Sequence, residues 1–93
     1  MPIKTRKWDA ADALATKEDI VAYLDAVLEE DDPELLKAAL GDIARSKGMT
    51  QLARAARVSR TNLYKALSPG GNPEFATVVK VLRALGLRLM VAA

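Results

Sequence analysis

The 93-residue chain has no cysteine and no histidine. Without cysteine there is no disulfide, no thiolate nucleophile, and no zinc or iron–sulfur site built on sulfur. Without histidine the commonest general base near neutral pH is missing. So are the Ser-His and Cys-His arrangements and every metal site that depends on imidazole. An enzyme would have to work with carboxylates, lysines or tyrosines alone, so the chain reads as a non-enzyme with no cofactor, no metal and no small-molecule substrate. Long apolar runs are also lacking. The longest, Leu89 to Ala93, is far below the roughly 20 residues needed to span a bilayer. The basic start MPIKTRK is followed by Trp8-Asp9 rather than an apolar stretch, so no export signal is readable and a cytoplasmic location is expected.

What is present is a single domain's length with a hydrophobic fraction of 51%, ample for a core. A domain this small buries only about 60% of its unfolded surface, so a partner subunit would add useful stability. The net charge of +2 hides a division at Pro33. Residues 1–32 carry four Lys or Arg against nine Asp or Glu, a net −5, whereas residues 33–93 carry ten against three, a net +7. Such asymmetry suggests a half that faces a polyanion beside a half with other business.

Periodicity and capping signals predict an all-α fold of five helices within one compact unit. Thr16 and Asp19 form a capping pair ahead of Ile20, Val21, Leu24, Val27 and Leu28, which recur at helical spacing and predict a first helix near 17–30. Asp32-Pro33 is a second start, with a stripe of Leu35, Leu36, Ala39, Leu40 and Ile43 before Gly48. Two short helices follow, from Met49 to Ala56 and from Arg60 to Leu67, with Ser59 as the natural N-cap of the second. Asn72-Pro73 is read as the start of a fifth helix, lined on one side by Phe75, Val78, Val79, Leu82 and Leu85. Leu87, Leu89 and Val91 alternate, which predicts a short C-terminal β-strand paired with a second copy or another protein.

The segment 52–67 is where the pattern becomes specific. Packing accounts for Leu52, Ala53, Ala56, Val58, Leu63 and Leu67. Left over at the leading end of the second short helix are Arg60, Thr61, Asn62, Tyr64 and Lys65, the residue types that read DNA. A helix fits the major groove with its N-terminal side chains on base edges and its dipole toward phosphate. Asn62 can pair with adenine, Arg60 with guanine, and the Thr61 methyl can meet thymine. Thr50, Gln51, Ser59 and Lys65 are better placed for phosphates, where they set register without reading sequence. The competing reading is a solvated helix face that binds nothing.

Two other features point to ordinary roles. Glu29-Glu-Asp-Asp32 lacks the alternating ligand spacing and turn glycine of a calcium loop; a helix cap plus solvated charge explains it. Gly70-Gly71 has no following Gly-Lys-Ser/Thr, so it is a connector rather than a phosphate loop, although its N–H groups could meet a DNA phosphate.

The pattern Leu52-Ala-x-x-Ala-x-Val-Ser-x-x-x-Leu63 resembles the lambda-repressor or Xre type of helix-turn-helix. Arg57 stands where that type usually has glycine, and a non-glycine residue can take the left-handed conformation at modest cost. The resemblance extends over Trp8-Asp9, Glu18 to Leu24, Ala39 to Arg45, Gly48 to Gln51, Leu63 to Ser68 and Gly71 to Phe75. Together these look like the probable addiction-module antidote family, related to HigA-type antitoxins. What the resemblance implies is a bacterial antitoxin that neutralises a small RelE/ParE-like toxin and, as a homodimer, represses their shared operon by binding double-stranded operator DNA. Residues 1–32 would then be an acidic partner-binding segment with one helix, and residues 33–93 the helix-turn-helix DNA-binding domain. A basic toxin would suit the acidic third. Trp8 is its candidate anchor, with Asp12 and Tyr23 beside it; the alternative is that Trp8 packs back on Ile20 or Leu24. Two other classes stand as alternatives: an interaction module without DNA binding, and a repressor without a toxin.

Overall fold

A computed structural model describes residues 16–93, and among these the only regular elements are five α-helices. They are α1 (Lys17–Leu28), α2 (Pro33–Lys47), α3 (Met49–Ala56), α4 (Arg60–Leu67) and α5 (Phe75–Ala84). Local chemistry sets most of the starts. The Thr16 hydroxyl accepts from the Asp19 amide at 3.0 Å, and the Asp19 carboxylate accepts from the Thr16 amide at 3.2 Å, a complete capping box. Asp32 Oδ1 accepts from the amides of Glu34 at 3.0 Å and Leu35 at 3.4 Å, with Pro33 at the first helical position. Ser59 Oγ accepts from the Asn62 amide at 2.9 Å.

Several breaks use left-handed backbone, among them that between α1 and α2, where Asp31 sits at φ 56°. Gly48, at φ 96°, separates α2 from α3 with no other intervening residue. Arg57, at φ 62°, closes α3 where the resemblance leads one to expect glycine. The next residue holds that strain in place: the Val58 amide bonds back to the Ala53 carbonyl at 3.0 Å, which turns the chain directly into α4.

Neither eight-residue helix would persist alone; both are clamped by longer neighbours. α3 packs on α2, α4 and α5, and α2 also touches α1 and α4. The main core joins Leu40 and Ala44 of α2, Leu52 and Ala53 of α3, Leu63 and Leu67 of α4, and Val81 and Leu82 of α5. A smaller cluster pairs Ile20 of α1 with Ile43 of α2. Leu24, Leu85 and Leu87 pack against both clusters, so α1 belongs to the same body as the rest.

Three expectations are corrected. The strand over Leu87–Val91 does not form: residues 87–93 are irregular, and no strand occurs among the described residues. Leu87 is held by its amide on the Leu82 carbonyl at 2.9 Å, but a strand also needs a neighbouring strand to bond to, and a single chain offers none. The fifth helix begins at Phe75 rather than at Asn72-Pro73, with Glu74 as an extended N-cap. The chain is kept extended there by a distant tether, since Lys37 Nζ donates to the Gly71 carbonyl at 2.7 Å. Phe75, expected on the core side, is 73% exposed, because the first residue of α5 lies beyond the end of the packed stripe.

Candidate nucleic-acid interface

The capping bond from Ser59 to the Asn62 amide starts α4 at Arg60. Leu63 and Leu67 then point into the core, Leu63 fully buried, which fixes the rotation of the helix. Arg60, Thr61, Asn62, Tyr64 and Lys65 are consequently all exposed, as is Ser59 itself. Thr50 and Gln51, in the first turn of α3, are exposed too. The structure therefore presents these eight polar residues on the solvent side of two successive helices that share one tight turn.

Two further cations border this surface and do not stand out in the sequence pattern. Arg54 and Arg57 are both exposed, the first on α3 and the second at the left-handed turn. The signal that could find them is the distribution of acids. Between Asp42 and Glu74 there is no Asp or Glu, while Arg45, Lys47, Arg54, Arg57, Arg60 and Lys65 all fall there. Arg45 is paired with Asp42 at 2.7 Å, but Arg54, Arg57, Arg60 and Lys65 fall in a stretch with no carboxylate of its own, which favours a positive potential there.

The loop after α4 is rigidly seated. Lys37 is the one buried charged residue among those described. Its ammonium is shared between the Gly71 carbonyl and Glu34 Oε1, 2.9 Å away. A Cβ at Gly71 would collide with the carbonyl oxygens of Lys65 and Ala66, so only glycine lets the loop lie against the end of α4. The Ser68 hydroxyl donates to the Tyr64 carbonyl at 2.6 Å and closes the same helix end.

Tyr23 is half-buried against the Ile20–Ile43 cluster. Its hydroxyl donates to Asp42 Oδ2 at 3.3 Å, while Arg45 Nη2 donates to Asp42 Oδ1 at 2.7 Å. Burial raises the phenol's pKa above its ordinary 10.0, and the Asp42 carboxylate adds to the rise by its charge and by its hydrogen bond. Trp8 and Asp12 lie outside the described residues. Asp32 of the acidic run serves as the α2 cap, and among the described residues no group of three acids is arranged to hold a metal ion. No described helix is long and apolar enough to cross a membrane.

Comparison with known proteins bears on the whole of this arrangement. Residues 4–93 match the family described as "Probable addiction module antidote protein". The chain belongs to that family. An uncharacterised protein of Haemophilus influenzae strain Rd is 50% identical over 91 residues, covering 98% of this chain and 94% of the relative. No solved structure matches. Family membership supports an antitoxin role and implies a toxin partner, the type of which the family description does not specify.

Proposed function

We propose that this antidote protein is the antitoxin of a type II toxin–antitoxin module in the bacterial cytoplasm. In this reading it neutralises a RelE/ParE-like toxin by direct binding and, as a homodimer, represses its own operon through α3 and α4, which act as a lambda-repressor-like, Xre-type helix-turn-helix. The observation that carries the DNA-binding half is the leading end of α4. There Arg60, Thr61 and Asn62 stand exposed at the Ser59-capped start of the helix, in a stretch that holds no carboxylate from residue 43 to residue 73.

Arg60 and Asn62 are assigned to base edges, with Thr61 able to meet a thymine methyl. Thr50, Gln51, Ser59 and Lys65 are assigned to phosphates, with Tyr64 on the flank. Arg54 and Arg57 add non-specific attraction, which makes the affinity strongly salt-dependent. The seated loop contributes the Gly70 N–H beside α4, since that of Gly71 donates to the Ser68 carbonyl at 2.8 Å. The toxin-facing assignment goes to the acidic segment, with Trp8, Asp12 and Tyr23 as candidate contacts.

The test is co-purification of the full chain with the small protein encoded beside it, followed by titration of the complex and of the free chain onto their shared promoter DNA. Specific, salt-sensitive binding by a stable complex supports both halves. A complex that ignores DNA reduces the protein to an interaction module, and DNA binding without a complex leaves an ordinary repressor.

A further inference from the structure

An apolar groove of about 530 Å³ runs between α1, α2, α5 and the C-terminal segment, and no residue of α3 or α4 lines it. Val21 and Leu28 of α1, together with Leu89 and Met90, line it while remaining largely in water. The next residue, Val91, is fully exposed. An apolar strip of this kind on a small domain marks an interaction site. A concave strip needs a convex apolar partner, and the most exposed apolar segment of the described chain, Met90-Val91, stands at the groove's own edge.

The charges along the groove differ in sign from one end to the other. Near the start of α1, Lys17 lies against Gly86 of the wall, its Nζ 3.1 Å from where a Cβ would stand, and Arg88 lines the wall two residues on. A neighbouring cleft that shares Leu82, Arg88 and Leu89 adds Arg83. Glu18 and Asp19, in the same turn as Lys17, line no part of the groove. Toward the end of α1, roughly 12 Å along the helix from Lys17 at 1.5 Å per residue, Asp25 is on the wall. Beyond it a cleft that shares Leu28 and Leu36 is lined by Asp31 and Asp32. Asp25 and Arg88 are both exposed, and neither takes part in the ion pairs Lys37–Glu34 and Arg45–Asp42. A partner of a single sign would suit one end and be repelled by the other. A two-fold contact behaves differently, because each residue of the patch meets its counterpart twice, once in each direction. Turning a second copy over about an axis through the groove sets basic end on acidic end at both sites.

We propose that the groove is the two-fold interface of a homodimer, in which Met90-Val91 of each copy seats in the groove of the other and Arg88 of each copy faces its partner's Asp25. The inference rests on the homodimer of the proposed function and gives it an interface. It buries apolar surface that a domain of this size cannot cover by itself. It also leaves α3 and α4 of both copies free, so that one dimer presents two reading helices to two half-sites.

The experiment follows the mass and the dimer dissociation constant of the full chain by analytical ultracentrifugation, with circular dichroism on every variant. The unaltered chain should be a dimer. Asp25→Arg and Arg88→Asp change exposed side chains, so the helical spectrum should persist. Each should weaken the dimer by about tenfold or more, because like charges then face one another across the axis. Mixed in equal amounts, the two variants should associate about as tightly as the unaltered chain, since both contacts again join opposite charges. Met90→Asp should weaken the dimer too, and mixing should not rescue it. An undiminished dimer in all three variants places the interface elsewhere; the proposal is then overturned and the homodimer reading stands. Weakening without rescue on mixing overturns the facing of Arg88 and Asp25, and with it the proposed interface. A fall in melting temperature at unchanged mass means that the chain fills its own groove, which also overturns it. So does a loss of toxin binding by variants that remain dimers, which assigns the groove to the toxin. If the unaltered chain is a monomer, the interface and the homodimer of the proposed function fall together, while toxin binding is decided by the co-purification.

Discussion

The surface built by α3 and α4 and the surface built by α1 and the start of α2 rest on one core yet carry opposite charge. Leu63 anchors the first and Ile43 supports the second, and both are fully buried. Outward from Leu63 lie Arg60 and Lys65 with no acid nearby in the chain, whereas outward from Ile20 and Val27 lie Glu18, Asp25 and Glu29. The comparison teaches that two surfaces of opposite charge fit on one small body, because the helix faces are divided rather than the chain. Under the proposed function, opposite signs would also keep the partners apart: a polyanion is repelled from the acidic face and a basic protein from the other.

The largest expected effects test whether the two surfaces share one body. Leu63→Ala and Ile43→Ala should each cost about 2–5 kcal/mol in urea unfolding, through lost burial and the cavity left behind. Each should lower a single cooperative transition seen by both circular dichroism and Tyr fluorescence. Two separate transitions would mean that the faces belong to independent units, and the comparison would break at its base.

A sharper effect concerns the basic face alone. Asn62→Ala should lose about 1–3 kcal/mol on the proper operator and relax one base position. Lys65→Ala should instead weaken all sequences alike and reduce the slope of log affinity against log salt by about one. Competition against unrelated DNA separates the two outcomes. If operator affinity is unchanged in both variants, the assignment of α4 as the reading helix is wrong. Neither change should alter toxin binding, and a shared loss would undo the division between faces.

How much of this is legible in the sequence depends on how far apart the cooperating residues are. Thr16 with Asp19, Asp32 with Pro33, and Ser59 with Asn62 act within a few positions, so the starts of α1, α2 and α4 follow from local pattern. The start of α5 does not, because it depends on Lys37 holding the Gly71 carbonyl across 34 positions. Arg54 and Arg57 each look like ordinary helix surface when taken singly; only the missing acids around them form a signal. The C-terminal alternation of Leu87, Leu89 and Val91 is real as a pattern. In a single chain no strand forms: Leu87 and Leu89 line an apolar groove with α1, α2 and α5, while Val91 is fully exposed.

A smaller effect checks the acidic side's own scaffold. Asp32→Ala removes the acceptor for two amides at the start of α2 and should cost about 1 kcal/mol, measured by thermal unfolding. Asp32→Asn should recover most of it, since asparagine caps as well as aspartate does. If Asn fails to recover stability, the negative charge rather than the cap is what the helix start needs.

The smallest effect decides to which surface Tyr23 belongs. Its hydroxyl is spent on Asp42, which Arg45 also holds, so Tyr23→Phe should cost about 0.5–1 kcal/mol at neutral pH. The phenol's pKa is raised in the folded chain above its ordinary 10.0, so folding favours its neutral form. The stability this contributes is complete below about pH 10 and disappears as pH rises through the folded value. The unaltered protein should therefore lose stability faster than Tyr23→Phe above about pH 10, and the two unfolding curves should converge there. A flat difference across that range would mean that neither burial nor Asp42 raises the phenol's pKa in the folded chain. Toxin binding supplies the other axis: a loss in Tyr23→Phe far beyond its stability cost would place the hydroxyl on the partner side, whereas equal binding would make Tyr23 a brace between α1 and α2.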